Sequence, residues 1–174
     1  DFIRMPYSEA MRLYGSDKPD LRFGMTFCDV TPLAKNKGFN VFDAAEAVLG
    51  IVVKGGAAYT RKQLDAFTDF VKRPQVGAKG MVYIKYNEDG SIKSSVDKFY
   101  QADDLKNWLD SNDAVPGDAM FVLSGDLNTT RNQMNDLRLH VADEQGLRKK
   151  NVFVPMWVTD FPLLEWDEDS KRFH

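Results

Sequence analysis

The sequence has little cysteine, little histidine and no long apolar run. Cys28 is the single cysteine among 174 residues, which excludes an intramolecular disulfide and favours a reducing, cytoplasmic setting. No apolar stretch approaches the roughly 20 residues that cross a bilayer, so no membrane-spanning helix is expected. The formal net charge is only −3, so a broad basic field for nucleic acid is excluded, although a local basic patch is not.

Most catalytic and metal-binding signatures are also absent. His140 and His174 are far apart in the sequence, and neither has the spacing of a metal-ligand motif. Cys28 has no CxxC partner, which favours a structural thiol. Gly55 and Gly56 lack the lysine of a phosphate-binding loop. We therefore expect no metal site in this chain.

What is present is the composition of a folded globular chain, with 43% hydrophobic and 28% charged residues. The length of 174 residues suits one large domain or two small ones. The chain begins at Asp1 without an initiator methionine or a signal-peptide pattern, so we expect it to be a piece of a longer protein.

Alternating strand and helix signals run through the middle of the chain. Thr60 and Gln63 form a capping box that opens a helix to about Arg73. Strands are predicted over 39–45, 47–54, 80–86, 91–95 and 119–123, and further helices over 9–14, capped by Ser8, over 31–38, around 105–109 and over 128–145. This order predicts an α+β unit of two layers, a mostly antiparallel sheet with helices on one face.

A polar loop after the first predicted helix is the first candidate functional feature. It contains two carboxylates, two cations and a hydroxyl within seven residues, namely Ser16, Asp17, Lys18, Asp20 and Arg22. Charge-assisted hydrogen bonds within such a cluster can order a loop beside an active site. A solvated, salt-bridged turn has the same pattern, so both interpretations stay open.

A basic set around the 60–73 helix is the second candidate. Its cations are Arg61, Lys62, Lys72, Arg73 and Lys79, and Tyr59, Tyr83 and Tyr86 are nearby in sequence. Phosphate neutralisation combined with aromatic stacking is typical of RNA binding. A solvated helix face is the alternative interpretation.

The C-terminal segment is unusually aromatic and is the third candidate. Trp157, Phe161 and Trp166 belong to a predicted apolar strand, and the acidic residues 167–170 predict a hairpin turn. Because little sequence remains to cover these rings, the segment indicates a larger core that continues elsewhere.

Two strings near the ends of the chain carry a specific resemblance. Residues 14–22 read Y-G-S-D-K-P-D-L-R, and residues 157–165 read W-V-T-D-F-P-L-L-E. They resemble the catalytic-domain segments that flank the large insertion of bacterial-type aspartyl-tRNA synthetases. Residues 55–65 and 77–85 resemble that insertion, the GAD domain. The resemblance implies catalytic-domain stubs at 1–25 (after motif 2) and 151–174 (before motif 3), around a GAD domain at 26–150 with a DCoH-like fold.

The resemblance also implies a function for the parent protein. Class II synthetases of this family use ATP and magnesium to activate aspartate and then transfer it to tRNA, generally as cytoplasmic homodimers. The motifs that carry this chemistry lie outside the chain, so the resemblance implies that the piece itself has no catalytic residue, binds no cofactor and is inactive. Within it, the loop of Ser16, Asp17, Lys18, Asp20 and Arg22 is expected near the parent active site, and the basic set is the candidate tRNA contact.

Two other functions stay open at this point. A related GAD domain occurs in a subunit of tRNA-dependent amidotransferases, where it would be a non-catalytic RNA-binding module. The alternative of an independent small enzyme would use Asp17, Lys18 and Asp20 as an acid–base site, without an accompanying nucleophile or metal cluster.

Overall fold

The computed structural model describes residues 2–164, 166–167 and 170–173, without the side chains of Trp166 and Asp167. The strands are β1 (Ile3–Pro6), β2 (Phe27–Asp29), β3 (Ala47–Val53), β4 (Val82–Tyr86), β5 (Ile92–Ser94), β6 (Ala119–Gly125), β7 (Met156–Thr159), β8 (Trp166–Asp167) and β9 (Arg172–Phe173). The helices are α1 (Tyr7–Tyr14), α2 (Thr31–Ala34), α3 (Asn40–Asp43), α4 (Arg61–Lys72), α5 (Ala102–Asp110) and α6 (Leu127–Glu144). None of these helices combines the length and apolar character needed to cross a membrane.

The main sheet has five antiparallel strands in the order β2-β3-β6-β4-β5. Its centre is the long pairing of β3 with β6, which runs from Ala47 opposite Gly125 to Val53 opposite Ala119. The predicted α+β class with a mostly antiparallel sheet is confirmed. The capping box at Thr60 is confirmed as well, because its hydroxyl accepts from Gln63 N and the Gln63 side chain accepts from Thr60 N.

The helices cover both faces of this sheet, which differs from the predicted single helical face. Leu49 and Phe121 pack with α4 and α6, whereas Val48 and Met120 pack with α2, α3 and α5 on the opposite face. The reason is visible in β3 and β6, which are apolar at nearly every position rather than at alternate ones. Strands of this kind need cover on both sides, so the unit has three layers.

Two local predictions are wrong, and one strand was not predicted. Residues 40–43 form the short helix α3 instead of a strand, and the Asp43 carboxylate accepts from the backbone N–H groups of Asn36 and Gly38 ahead of it. Ser8 does not cap α1, because that helix begins one residue earlier after Pro6. The sequence also gave no sign of β2, a three-residue edge strand.

The two ends of the chain meet in a separate, parallel pair of strands. Ile3 of β1 lies opposite Met156 of β7, and Pro6 lies opposite Thr159. Helix α1 follows β1 and packs against α6, which connects this pair to the main unit. β8 and β9 pair antiparallel, as the predicted hairpin requires. Asp1, Glu165, Glu168, Asp169 and His174 lie outside the described residues.

Candidate functional site

The polar loop begins where α1 stops at Gly15. This residue adopts a left-handed conformation with φ of 64°, and a Cβ there would come within 2.3 Å of the Arg131 carbonyl oxygen on α6. A side chain at this position is therefore excluded both by strain and by space. The close approach of α1 to α6 places the following residues along the side of α6.

Asp20 is the centre of the charged contacts in the loop. Its carboxylate accepts two short bonds from Arg22, at 2.9 Å from Nε and 2.6 Å from Nη2, and a third at 3.1 Å from Arg148 Nε. The hydrogen bond with Arg22, followed by those with the Arg22 backbone and Arg148, holds the pKa of Asp20 well below its usual range despite partial burial. Asp20 is therefore ionised at neutral pH and ties the loop to the segment that follows α6.

A buried arginine of α6 also contacts the backbone of this loop and of the residues that follow it. Arg138 is fully buried, and its guanidinium donates to the carbonyl oxygens of Asp20, Gly24 and Met25, each at 2.9 Å. The guanidinium also lies over the rings of Tyr14 and Phe23, at 4.8 and 4.1 Å from their centroids. Burial lowers the pKa of Arg138 to about 10, so it remains charged at neutral pH.

Sequence reasoning missed Arg138, although a signal was available. It follows Met134 by four residues and Leu137 by one, so it lies on the inward face of an amphipathic helix. A charged side chain at such a position requires several partners. Here the partners are backbone carbonyls and aromatic rings, which cannot be identified from sequence.

The remaining predicted loop residues form a different, exposed group. Lys18 pairs with Asp17 at 3.0 Å but its side chain is 85% exposed, and the Ser16 hydroxyl accepts from Lys18 N at 3.1 Å. The predicted loop thus divides into a buried anchor, Asp20 with Arg22, and a solvated turn. Ser16 and Asp17 also line a cavity of about 660 Å³ between α1, α6 and residues 161–163.

The predicted basic set is spread over the surface. Arg61 and Lys62 are exposed at the start of α4, and Lys72 and Arg73 are exposed at its other end, about 17 Å away for a helix of this length. Arg61 pairs with Asp65 at 3.0 Å, while Lys79 lines a separate cavity near α3.

The tyrosines expected to stack on bases are buried or partly buried against the core. Tyr86 is buried, and Tyr59 packs edge-on against Phe67 while its hydroxyl accepts from Gln145. Tyr83 packs against the same core cluster as Tyr59. The structure therefore does not bring these rings and cations together into one exposed platform.

The single cysteine and the described histidine are held in apolar surroundings. Burial is the first cause that raises the pKa of the Cys28 thiol to about 11, so it is protonated at neutral pH. His140 stacks on Phe70 at 3.9 Å, and burial lowers its pKa. Among the described residues, no group of three or more acidic, histidine or cysteine side chains is arranged to hold a metal ion.

The segment after α6 exposes large apolar side chains. Phe153 is 85% exposed, Leu163 94% and Trp157 59%. Phe161 is also exposed in part, although its ring lies 5.0 Å from that of Tyr7. Of the three aromatic residues in the third candidate, Trp157 and Phe161 are thus exposed, whereas the Trp166 side chain lies outside the described residues.

Comparison with known proteins assigns the central unit and relates the whole chain to one group of enzymes. The chain is 56% identical over 174 residues to an aspartate–tRNA ligase of Porphyromonas gingivalis, 55% identical over 173 residues to that of Flavobacterium psychrophilum and 49% identical over 172 residues to that of Azobacteroides pseudotrichonymphae. Each alignment covers 99% of this chain but only 30% of the relative. The family profile of the GAD domain matches residues 40–144, more than half of the chain, which includes β3 to β6 and α3 to α6. The chain therefore belongs to the GAD domain family.

Proposed function

We propose that this chain is part of an aspartate–tRNA ligase and forms its accessory GAD insertion together with two short catalytic-domain segments. The observation that carries the proposal is identity of 55–56% over 99% of the chain, well beyond the 40–144 match of the GAD profile. A parent of this class joins aspartate to tRNA at the expense of ATP. The chain spans about 30% of the length of these relatives, and the reaction belongs to the whole enzyme.

The alignments favour this function over the GAD module of an amidotransferase subunit. Such a module would account for the central domain alone, whereas the similarity to the ligases continues through the end segments. The acid–base alternative receives no support from the geometry, since Lys18 and Asp17 form an exposed pair and Asp20 is engaged by two arginines.

We propose the domain division 1–25, 26–150 and 151–174. In its support, the five-stranded sheet begins with Phe27 of β2, and the last helix of the unit ends at Glu144. β1 and β7, from the two outer segments, pair with each other and not with that sheet. The pairing of β1 with β7 brings the segments before and after the unit close together, as is usual for a domain inserted within another.

In the parent, the loop of Ser16, Asp17, Lys18, Asp20 and Arg22 is a positioning element. Asp20 and Arg22, held by Arg148 and the buried Arg138, fix the loop at one end, so that Ser16, Asp17 and Lys18 are presented beside the cavity at α1. Hydrogen bonds of this kind already hold the loop in one conformation, so less conformational entropy is lost when the loop must adopt that conformation for function. ATP, magnesium and aspartate would be bound by the parent, a cytoplasmic homodimer, at motifs outside the chain.

The tRNA would approach the surface formed by Arg61, Lys62, Lys72, Arg73 and Lys79. Their exposure supports the proposal, since an accessible guanidinium or ammonium can neutralise a phosphate. The net charge of −3 and the wide separation of the two ends of α4 make such contacts local and few. The domain would therefore assist tRNA binding without selecting the tRNA by its sequence.

The proposal is tested by aspartate-dependent exchange of pyrophosphate into ATP. We expect the isolated 174-residue chain to give no exchange above a blank, and a longer protein containing it to exchange and to aminoacylate tRNA with aspartate. Exchange by the isolated chain would show that it holds a complete active site. Absence of both activities from the longer protein would contradict the ligase assignment.

A further inference from the structure

A cavity lies where β4 stops short of the end of β6. Their pairing ends with Val82 opposite Val122, whereas β6 continues to Gly125 alongside β3. α3, the first turns of α6 and residues 77–81 enclose the resulting space, which has a volume of about 780 Å³. Cavities of roughly 300–1,000 Å³ are typical of small-molecule sites.

Two polar side chains of α6 in the wall of this cavity have unmet hydrogen-bonding capacity. Gln133 is only 8% exposed, and its amide has no hydrogen-bond partner among the described residues. The amide nitrogen lies beside Gly77, another lining residue, since a Cβ at Gly77 would be 3.9 Å from it. One turn earlier, the fully buried Thr130 hydroxyl also lacks a partner within the described chain. Buried polar groups are usually paired, so the Thr130 hydroxyl indicates a missing partner. The Gln133 amide keeps some solvent contact and is available to a molecule in the cavity.

The rest of the wall limits the chemistry of that partner. Phe39, Val41 and Met81 give it a largely apolar surface. Lys79 is the one cation among the described lining residues and is exposed. The lining carboxylate, Asp126, is engaged as the cap of α6, where it accepts from Thr129 N at 2.9 Å. A flat, uncharged and largely apolar ligand with an adjacent donor and acceptor fits these walls.

We propose that this cavity binds a nucleobase, with the Gln133 amide on its hydrogen-bonding edge. A glutamine amide presents one acceptor and two donors in a plane, which matches the paired donor and acceptor of a base such as adenine. The Phe39 ring supplies an apolar surface for the base, and Lys79 accounts for at most one phosphate attached to it. The base belongs either to a free nucleoside or nucleotide or to an unstacked position in RNA, and the site does not depend on the ligase assignment.

The first test is titration of the 174-residue chain with each of the four common nucleosides and their monophosphates. Binding is measured by the changes in amide chemical shifts in NMR spectra. We expect saturable shifts in residues 77–81 and at the start of α6, with at least one base. Gln133→Ala is expected to weaken binding at least about fivefold, whereas Gln75→Ala, which removes an exposed glutamine outside the cavity, should leave it unchanged. Lys79→Ala should weaken the monophosphate only.

Single-stranded and duplex RNA distinguish the two sources of the base. Tighter binding of a short single strand than of the nucleoside, with the same dependence on Gln133, would assign the site to RNA, and equal affinities would assign it to the free compound. Gln133→Glu and the cavity-filling Ser124→Phe, both checked for folding by circular dichroism, replace Gln133→Ala if that variant unfolds. Absence of Gln133-dependent binding by both nucleosides and single-stranded RNA at millimolar concentration would overturn the proposal.

Discussion

The two largest groups of paired strands bury their side chains to very different extents. In the five-stranded sheet, six of the seven residues of β3 are buried, and helices cover both faces. In the described pair of β1 and β7, no residue is fully buried, and Trp157 is 59% exposed. Both regions are rich in large apolar side chains. The difference shows that the five-stranded sheet is covered by elements of this chain, whereas β1 and β7 leave apolar side chains exposed.

Replacing one tryptophan in each region is expected to give the largest difference in unfolding free energy. Trp108 of α5 is 1% exposed and packs against Tyr100 and Phe42, so Trp108→Ala should lower the free energy of unfolding by about 3–5 kcal/mol. Trp157→Ala removes an exposed ring and should change the free energy of unfolding by less than about 0.5 kcal/mol. Urea unfolding of both variants measures the difference. Equal losses would contradict the comparison.

Arg138→Met tests the connection between the central unit and the polar loop. Its removal leaves the carbonyl oxygens of Asp20, Gly24 and Met25 without their buried donor, at a cost of about 2–3 kcal/mol in unfolding free energy. Amide hydrogen exchange should accelerate first in residues 16–25, while β3 and β6 stay protected. Arg131→Ala, on the same helix, is the control. Unchanged exchange in the loop of Arg138→Met would mean that the guanidinium does not hold it.

A smaller, pH-dependent effect is expected from Asp20. Since its folded-state pKa lies below its unfolded value of about 4, ionised Asp20 stabilises the protein above that pH, and this stabilisation is lost as pH falls through the lowered folded pKa. Asp20→Asn should therefore cost about 1–2 kcal/mol at neutral pH and flatten the decline in stability below about pH 4. Thermal unfolding from acid to neutral pH measures both. A parallel decline in wild type and variant would exclude Asp20 as its source.

The smallest effect on stability is expected from the exposed start of α4. Arg61→Ala with Lys62→Ala removes one surface ion pair and should change the unfolding free energy by less than about 0.5 kcal/mol. In the full-length protein, the same pair of changes should raise the KM for tRNA a few-fold and leave aspartate activation unchanged, because each lost phosphate contact weakens binding modestly. Asp65→Ala, which frees Arg61 while retaining its charge, is the control. An unchanged KM would identify these residues as a solvated helix face.

Local signals allowed much of the central unit to be predicted. The Thr60 and Gln63 capping box fixed the start of α4, and the helix predicted over 128–145 corresponds closely to α6. These features depend on residues within one or two turns of each other. The prediction of a strand over 39–45 was wrong because the Asp43 side chain and the burial of Phe42 stabilise α3. Neither effect changes the strand propensity of these residues.

The candidate sites were less predictable, since they combine distant residues. The loop from Ser16 to Arg22 was identified as a charged cluster, but its division into a buried anchor and an exposed turn depends on Arg138 and Arg148, more than one hundred residues away. The cavity at Gln133 gave no signal at all in the sequence. It exists because β4 is shorter than β6 and because α3 and α6 approach the gap from opposite sides.

The sequence by itself determined most of the helices and strands of the central unit and the resemblance that indicated its family. These depend on residue type and short spacing, which fix backbone preference and the apolar face of each element. Tertiary structure alone decided which helices lie on each face of the sheet, that Arg138 holds the loop, and that the two ends of the chain pair in parallel. Burial, hydrogen-bond partners and cavities are properties of distances between elements, and a linear order of residues does not specify those distances.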